Sequence, residues 1–286
     1  MKNILVPIDF SDCSKNATLF AANLARKTGA EIHLLHVIEN GETDPGLGTT
    51  GSWAGAEEAV AVPVMMDRLK MIKGRMQEII SSEELTGIPV HDFIEVGEPY
   101  IKINDGAEKQ SADIIVMGTH GTSATRQLFI GNVADKVVQH STRPVLTIKE
   151  PGNVNPANIV FASDFSQEAD LFFEQAQTFA AVYSSSLHFL KVIDESDASQ
   201  RDKELENLQA FALHHGANAS LCHVVTASDA EEGIVLFAKR NGIDLIAIGT
   251  HGRGGLSRFF NPSISAELVN HAFCPVLSLN SRSSRH

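Results

Sequence analysis

Short apolar runs recur along the chain, separated by longer stretches in which apolar side chains return every third or fourth residue. "NILVPI" (3–8) is followed by "CSKNATLFAANLARKTG" (13–29) and then by "EIHLLHVI" (31–38). The first and last runs are apolar on both faces, as strands covered on both sides are. The middle stretch sets Ala17, Phe20, Ala21, Leu24 and Ala25 at helical spacing and ends at Gly29, a residue suited to the left-handed turn that closes a helix. This is a β-α-β pattern. Its repetition predicts a parallel sheet with helices on both faces, a doubly wound α/β fold. Ligands of such sheets sit beyond the carboxyl ends of the strands, where strand order reverses. Asp9 and Gly118, each just past an apolar run, are candidates for that crevice.

The pattern is written twice. "NILVPIDFS" (3–11) aligns with "NIVFASDFS" (158–166), and "IHLLHVIE" (32–39) with "LHFLKVID" (187–194), both at an offset of 155 residues. Further on, "ADIIVMGTHG" (112–121) matches "IDLIAIGTHG" (243–252), and "STRPVLTIK" (141–149) matches "AFCPVLSLN" (272–280), at an offset of 131. The difference, 155 − 131 = 24, is an insertion in the first half between its second and third strands, around residues 41–66. The Pro-, Gly- and Asn-rich "EPGNVNPAN" (150–158) disfavours regular structure and marks the boundary. Two domains are expected, 1–150 and 151–286.

Bulk properties narrow the function. A chain of 286 residues suits two domains, since domains most often run to roughly 100–150 residues. The net charge of −12, with no basic run, argues against nucleic acid as a partner. The apolar run at the N-terminus stops at Asp9, too short for a signal-peptide core or a membrane span, so a cytoplasmic protein is expected. Cys13, Cys222 and Cys274 form no CxxC pair and read as reduced structural thiols.

The chemistry lies in the loop after the fourth strand, "GTHGTSATRQLFIGN" (118–132). A glycine-rich turn that leaves a strand and feeds a helix presents backbone N–H groups at the positive end of the helix dipole, where phosphate oxygens bind. The spacing Gly-x2-Gly-x9-Gly-Ser/Thr, an Asp ending the first strand and a final "PVL" strand, all repeated in register, resemble the universal stress protein family in tandem form. The resemblance spans essentially the whole chain. It implies an adenine nucleotide alpha hydrolase-like, Rossmann-like fold whose five-stranded parallel sheets have the order 3-2-1-4-5. It also implies a stress-response role, with ATP bound by some members and not by others, with or without Mg2+. Carried over residue by residue, Asp9 would meet the adenosine end and the Val37 backbone the adenine edge. Gly118, Gly121, Gly131 and Asn132 would hold phosphates. Asn132 stands where the family has Ser or Thr; its amide can still donate to a phosphate.

The second half departs further. Asp164, Val192, Gly249 and Gly252 are kept, but Pro262 takes the place of the third glycine, ahead of Ser263. Proline has no N–H, so one phosphate donor is lost; Arg253 is the available substitute. ATP is therefore expected chiefly in the first half. The alternative is a scaffold of the same fold that pairs domains and binds partners without nucleotide. No catalytic residue is assigned, because no base is fixed beside His120 or His251, so slow hydrolysis is the most expected. The "PVL" strands need a cover for an exposed edge, and the family resemblance supplies one: the two halves dock on each other, with a homodimer of chains left open. "GLGTTG" (46–51) matches GxGxxG in letters but follows no strand, and the insertion reads as a flap or packing surface. His33 and His36, three apart on a strand, point to opposite faces and are read as structural rather than metal ligands, as are Cys222 and His223.

Overall fold

The computed structural model describes residues 1–39, 58–119, 132–150, 152–165, 169–250, 268–269 and 271–280, with backbone alone at 58–64, 132, 250 and 280. Gly121, Gly131, Gly252, Arg253, Pro262, Ser263 and the loop histidines His120 and His251 lie outside the described residues. So do Ser166 and the GxGxxG match.

Strands β1 (Asn3–Pro7), β2 (Glu31–Ile38), β3 (Val90–Val96), β4 (Ile114–Gly118) and β5 (Val145–Ile148) belong to the first half. Strands β6 (Asn158–Ala162), β7 (Ser186–Ile193), β8 (Cys222–Thr226), β9 (Leu245–Thr250) and β10 (Val276–Asn280) belong to the second. The sheet order is β3-β2-β1-β4-β5-β10-β9-β6-β7-β8, so each half has the order 3-2-1-4-5 and all pairings within a half are parallel. The halves join at one antiparallel seam, where Leu277 faces Leu146 and Val276 faces Thr147. The Thr147 hydroxyl donates to the Val276 carbonyl at 3.2 Å. The exposed edge that each "PVL" strand would leave is thus covered by the other.

Helices cover both faces. Those on one side are α1 (Asp12–Thr28), α2 (Glu58–Ile80), α5 (Ala169–Tyr183) and α6 (Arg201–His214); on the other are α3 (Pro99–Lys109), α4 (Asn132–His140) and α7 (Ala230–Arg240). Ile4, Val6, Ile32 and Leu34 join Phe20, Met76 and Phe172 in the first core layer. Leu5, Leu35 and Ile115 join Ile103, Val137 and Ile234 in the second. Alternate residues of one strand feed opposite layers, which is why the strands read as unbroken apolar runs.

Local signals explain where α1 begins and ends. The Ser11 side chain accepts from the Ser14 N–H, capping the first turn, and Gly29 closes the helix at φ 71°. The end of the insertion is helical: residues 58–66 are the start of α2, which at 23 residues exceeds the 14 of its counterpart α6. The rest of the insertion, 41–57, lies outside the described residues.

Candidate functional site

A cavity of about 680 Å³ opens at the carboxyl ends of β1, β2 and β4, where the strand order turns back. Asp9, Val37 and Gly118, far apart in sequence, all line it. Its size falls within the roughly 300–1,000 Å³ usual for small-molecule sites.

Each of these residues is placed by its local structure. The Asp9 carboxylate accepts from the Ser11 backbone N–H at 3.0 Å and from the Ser11 hydroxyl at 2.6 Å. Asp9 is thus not itself the helix cap; it holds the serine that is. The next residue, Phe10, has φ 66°, a left-handed conformation uncommon for an aromatic residue, and its counterpart Phe165 has φ 56°. Backbone strain kept at the same turn in both halves marks a shaped loop.

Val37 sits where β2 outruns β1. Pairing of the two strands ends at Pro7 and Leu35, and Ile8 then donates its N–H to the Leu35 carbonyl at 2.8 Å. The Ile8 carbonyl is taken by His36 Nδ1, also at 2.8 Å. By the two-residue period of a strand, the Val37 N–H and C=O fall on the same edge as the Leu35 carbonyl, beyond the last residue of β1. A donor and an acceptor side by side on an open strand edge suit one edge of a purine.

Gly118 has a packing reason of its own, because a Cβ there would lie 2.8 Å from the Cys13 backbone. The first turn of α1 thus rests directly on the end of β4. Asn132 is the first residue of α4, which points its N-terminal end toward the strand ends.

Charge gathers at the rim. Arg68 and Arg75 of α2 and Lys136 of α4 line the cavity, as do Glu39 and Glu98. Lys136 pairs with Glu98 at 3.2 Å and lies over the Tyr100 ring. The guanidinium carbon of Arg75 sits 3.9 Å from the centre of the Phe10 ring, which also meets His36 at 4.8 Å. Sequence reasoning missed the arginines because they follow an insertion with no counterpart in the second half. Phe10 was legible in principle, since "DFS" recurs in both halves.

The second half is built differently at the same turn. Asp164 precedes Phe165, but the Phe165 ring packs on Phe211 at 5.1 Å and on Phe161 at 5.6 Å. Lys191, the counterpart of His36, is tied to Glu204. Val192 is close enough to α7 that a Cβ on Gly233 would come within 2.9 Å of it. Where the first half keeps arginine and histidine around its phenylalanine, the second packs aromatic rings.

Cross-strand pairs place histidines that neighbouring sequence positions could not. His33 stacks on His91, and its counterpart His188 on His223, each with ring centres 5.4 Å apart. Burial holds His33, His188 and His223 below the usual imidazole range. Among the described residues no group of three or more His, Cys, Asp or Glu is arranged to hold a metal. No helix among them is long and apolar enough to cross a membrane.

One titration stands out next to the site. Asp135, in the first turn of α4, has a buried carboxylate oxygen without a hydrogen-bond partner among the described residues, and burial pushes its carboxyl up to about 6. With the folded value above the unfolded one, the charged form costs stability that the protonated form does not, so this group's contribution falls as pH rises from 4 to 6. Asp135→Asn is expected to stabilise the chain at pH 7 by on the order of 1 kcal/mol, a figure discounted for its half-open surroundings, and to have no effect near pH 4. Urea unfolding at the two pH values measures the difference.

Two doubly wound α/β units, joined edge to edge and carrying a crevice at the switch point of the first, define a tandem Rossmann-like protein. The universal stress protein family model matches residues 1–149 and again residues 157–279. The chain belongs to the universal stress protein family. Universal stress protein MJ0531 of Methanocaldococcus jannaschii is 33% identical over 155 residues, covering 52% of this chain and 83% of that protein. Universal stress protein Slr1230 of Synechocystis sp. is 24% identical over 291 residues, covering 97% and 99% respectively. The crystal structure of a universal stress protein from Archaeoglobus fulgidus superposes with a TM-score of 0.73 at 21% identity, over 98% of each chain, a likeness of fold.

Proposed function

We propose that the chain is a nucleotide-responsive stress regulator or protective factor of the cytoplasm that holds ATP in its first half, residues 1–150. The observation that carries this reading is the convergence of Asp9, the Val37 strand edge and Gly118 on one cavity. Asp9 would accept from the ribose hydroxyls and the Val37 backbone would pair with the adenine edge. The glycine loop that starts at Gly118, with Gly121, Gly131 and Asn132, would hold the phosphates at the start of α4. Bound ATP, with or without Mg2+, supplies the charged group to which this loop responds. No base is assigned, so turnover is slow.

The second half, residues 151–286, acts as an internal partner. Aromatic packing around Phe165 and the proline at position 262 both argue against an equal second site. Titration calorimetry tests the reading. The wild-type chain is expected to bind ATP, and Asp9→Ala to weaken binding by roughly tenfold or more, the value of one charge-assisted hydrogen bond. Asp164→Ala is expected to leave binding unchanged. Failure of the wild type to bind at millimolar ATP would sink the proposal and leave a scaffold that uses the seam alone.

A further inference from the structure

The cavity opens onto both core layers. Leu35, Ile103, Met117 and Ala134 line it from the α3/α4 side, and they belong to the core layer on that face. Ile8, Phe10 and Ile72 line it from the α2 side and belong to the other layer. A nucleotide held as proposed above rests on the apolar α3/α4 wall, with its ribose at Asp9. The residue after Asp9 is Phe10, and over Phe10 stands Arg75. The next cation on the same face of α2 is Arg68, seven residues or two turns earlier, which also lines the cavity. Asp9 and the two arginines thus line the same cavity.

We infer that Arg68 and Arg75 form an anion subsite beyond the ribose, and that the preferred ligand is an adenine nucleotide whose ribose bears a further phosphate. This rests on the ATP-type site proposed above and narrows it. Guanidinium groups match phosphate geometry through paired N–H donors, and a ring beneath one of them orients it. Among the described residues Arg75 makes no ion pair; its contact is the Phe10 ring. Among the described carboxylates that line the cavity, Glu98 is paired with Lys136 and Asp9 accepts from Ser11; Glu39 is the third. At the matching turn of the second half, Phe211 packs edge-to-face with Phe165.

The test compares two ligands that differ by one phosphate, adenosine 5′-monophosphate and adenosine 3′,5′-bisphosphate, by calorimetry on the full chain. The wild type is expected to prefer the bisphosphate by roughly tenfold to a hundredfold. In the Arg68→Gln/Arg75→Gln double variant this ratio is expected to fall to about twofold or less, and in Arg75→Lys to fall part of the way, since lysine keeps the charge but neither the paired donors nor the stacking on Phe10. Arg75 is exposed, so the fold tolerates its replacement, and an unchanged urea midpoint checks this. Equal affinity of the wild type for the two ligands overturns the subsite while leaving the ATP reading intact, as does a preference that persists in the double variant. Absence of binding by either ligand overturns the subsite; the ATP reading falls only if ATP itself, titrated beside them, also fails to bind.

Discussion

Replacing Gly118 with alanine is expected to lower the unfolding free energy by about 1–3 kcal/mol, the usual cost of forcing a methyl group into a packed interior. The added Cβ would stand 2.8 Å from both the carbonyl carbon and Cβ of Cys13 and 2.9 Å from the Ser14 nitrogen. Two of these atoms are backbone in the first turn of α1, so no rotamer change relieves the contact. The helix start would have to lift, taking with it the Ser11 cap and the Asp9 carboxylate bound to it. Gly249, the counterpart, is crowded for another reason, because its Cβ would come within 2.4 Å of the Phe172 ring. Phe172 stands where the first half has Ala17. Phe172→Leu is therefore expected to recover part of the loss caused by Gly249→Ala, whereas no single side-chain change rescues Gly118→Ala. Urea unfolding of the single and double variants reads this coupling directly.

A proline at Ser278 is expected to cost at least about 3 kcal/mol. Ser278 lies in the interior of the continuous sheet, with Val145 across the antiparallel seam and Ile248 on the parallel side. Proline removes the N–H and places its ring against a neighbouring strand, which a sheet tolerates at edges and not at such a position. The damage should be local at first. Hydrogen exchange is expected to show the Val145 and Thr147 amides losing protection while those of Ile4 and Leu5, two strands away, keep theirs. Retained protection in β5 would show that the seam does not join the halves.

Much of this was legible in the sequence, for physical reasons. Strands buried on both faces write themselves as apolar runs, and a duplicated unit shows its register by offset, so the 3-2-1-4-5 order followed once the family pattern was seen. Asp9 and Gly118 could be placed at one crevice because the ends of neighbouring parallel strands must lie together; Val37 joined them through the family resemblance. What the sequence hid depends on contacts between distant elements. Arg68 and Arg75 come to the site only because the insertion ends in a helix. The histidines look unpaired along each strand, yet His33 meets His91 and His188 meets His223 across strands. Gly118 reads as a phosphate-loop glycine, and its contact with Cys13 adds a packing demand that no local pattern announces. Phe165 and Phe211 fill the second turn from two separate helical connections, so the inequality of the halves is larger in the structure than the change from glycine to proline at position 262 suggested.

Native mass spectrometry of the full chain, titrated with ATP to millimolar concentration, tests the inequality of the two halves most directly. The expected spectrum gains a single nucleotide mass per chain, and the ATP concentration needed for it rises roughly tenfold or more in Asp9→Ala while Asp164→Ala leaves it unchanged. Two nucleotides per chain, or a single one weakened by Asp164→Ala and not by Asp9→Ala, would contradict the account.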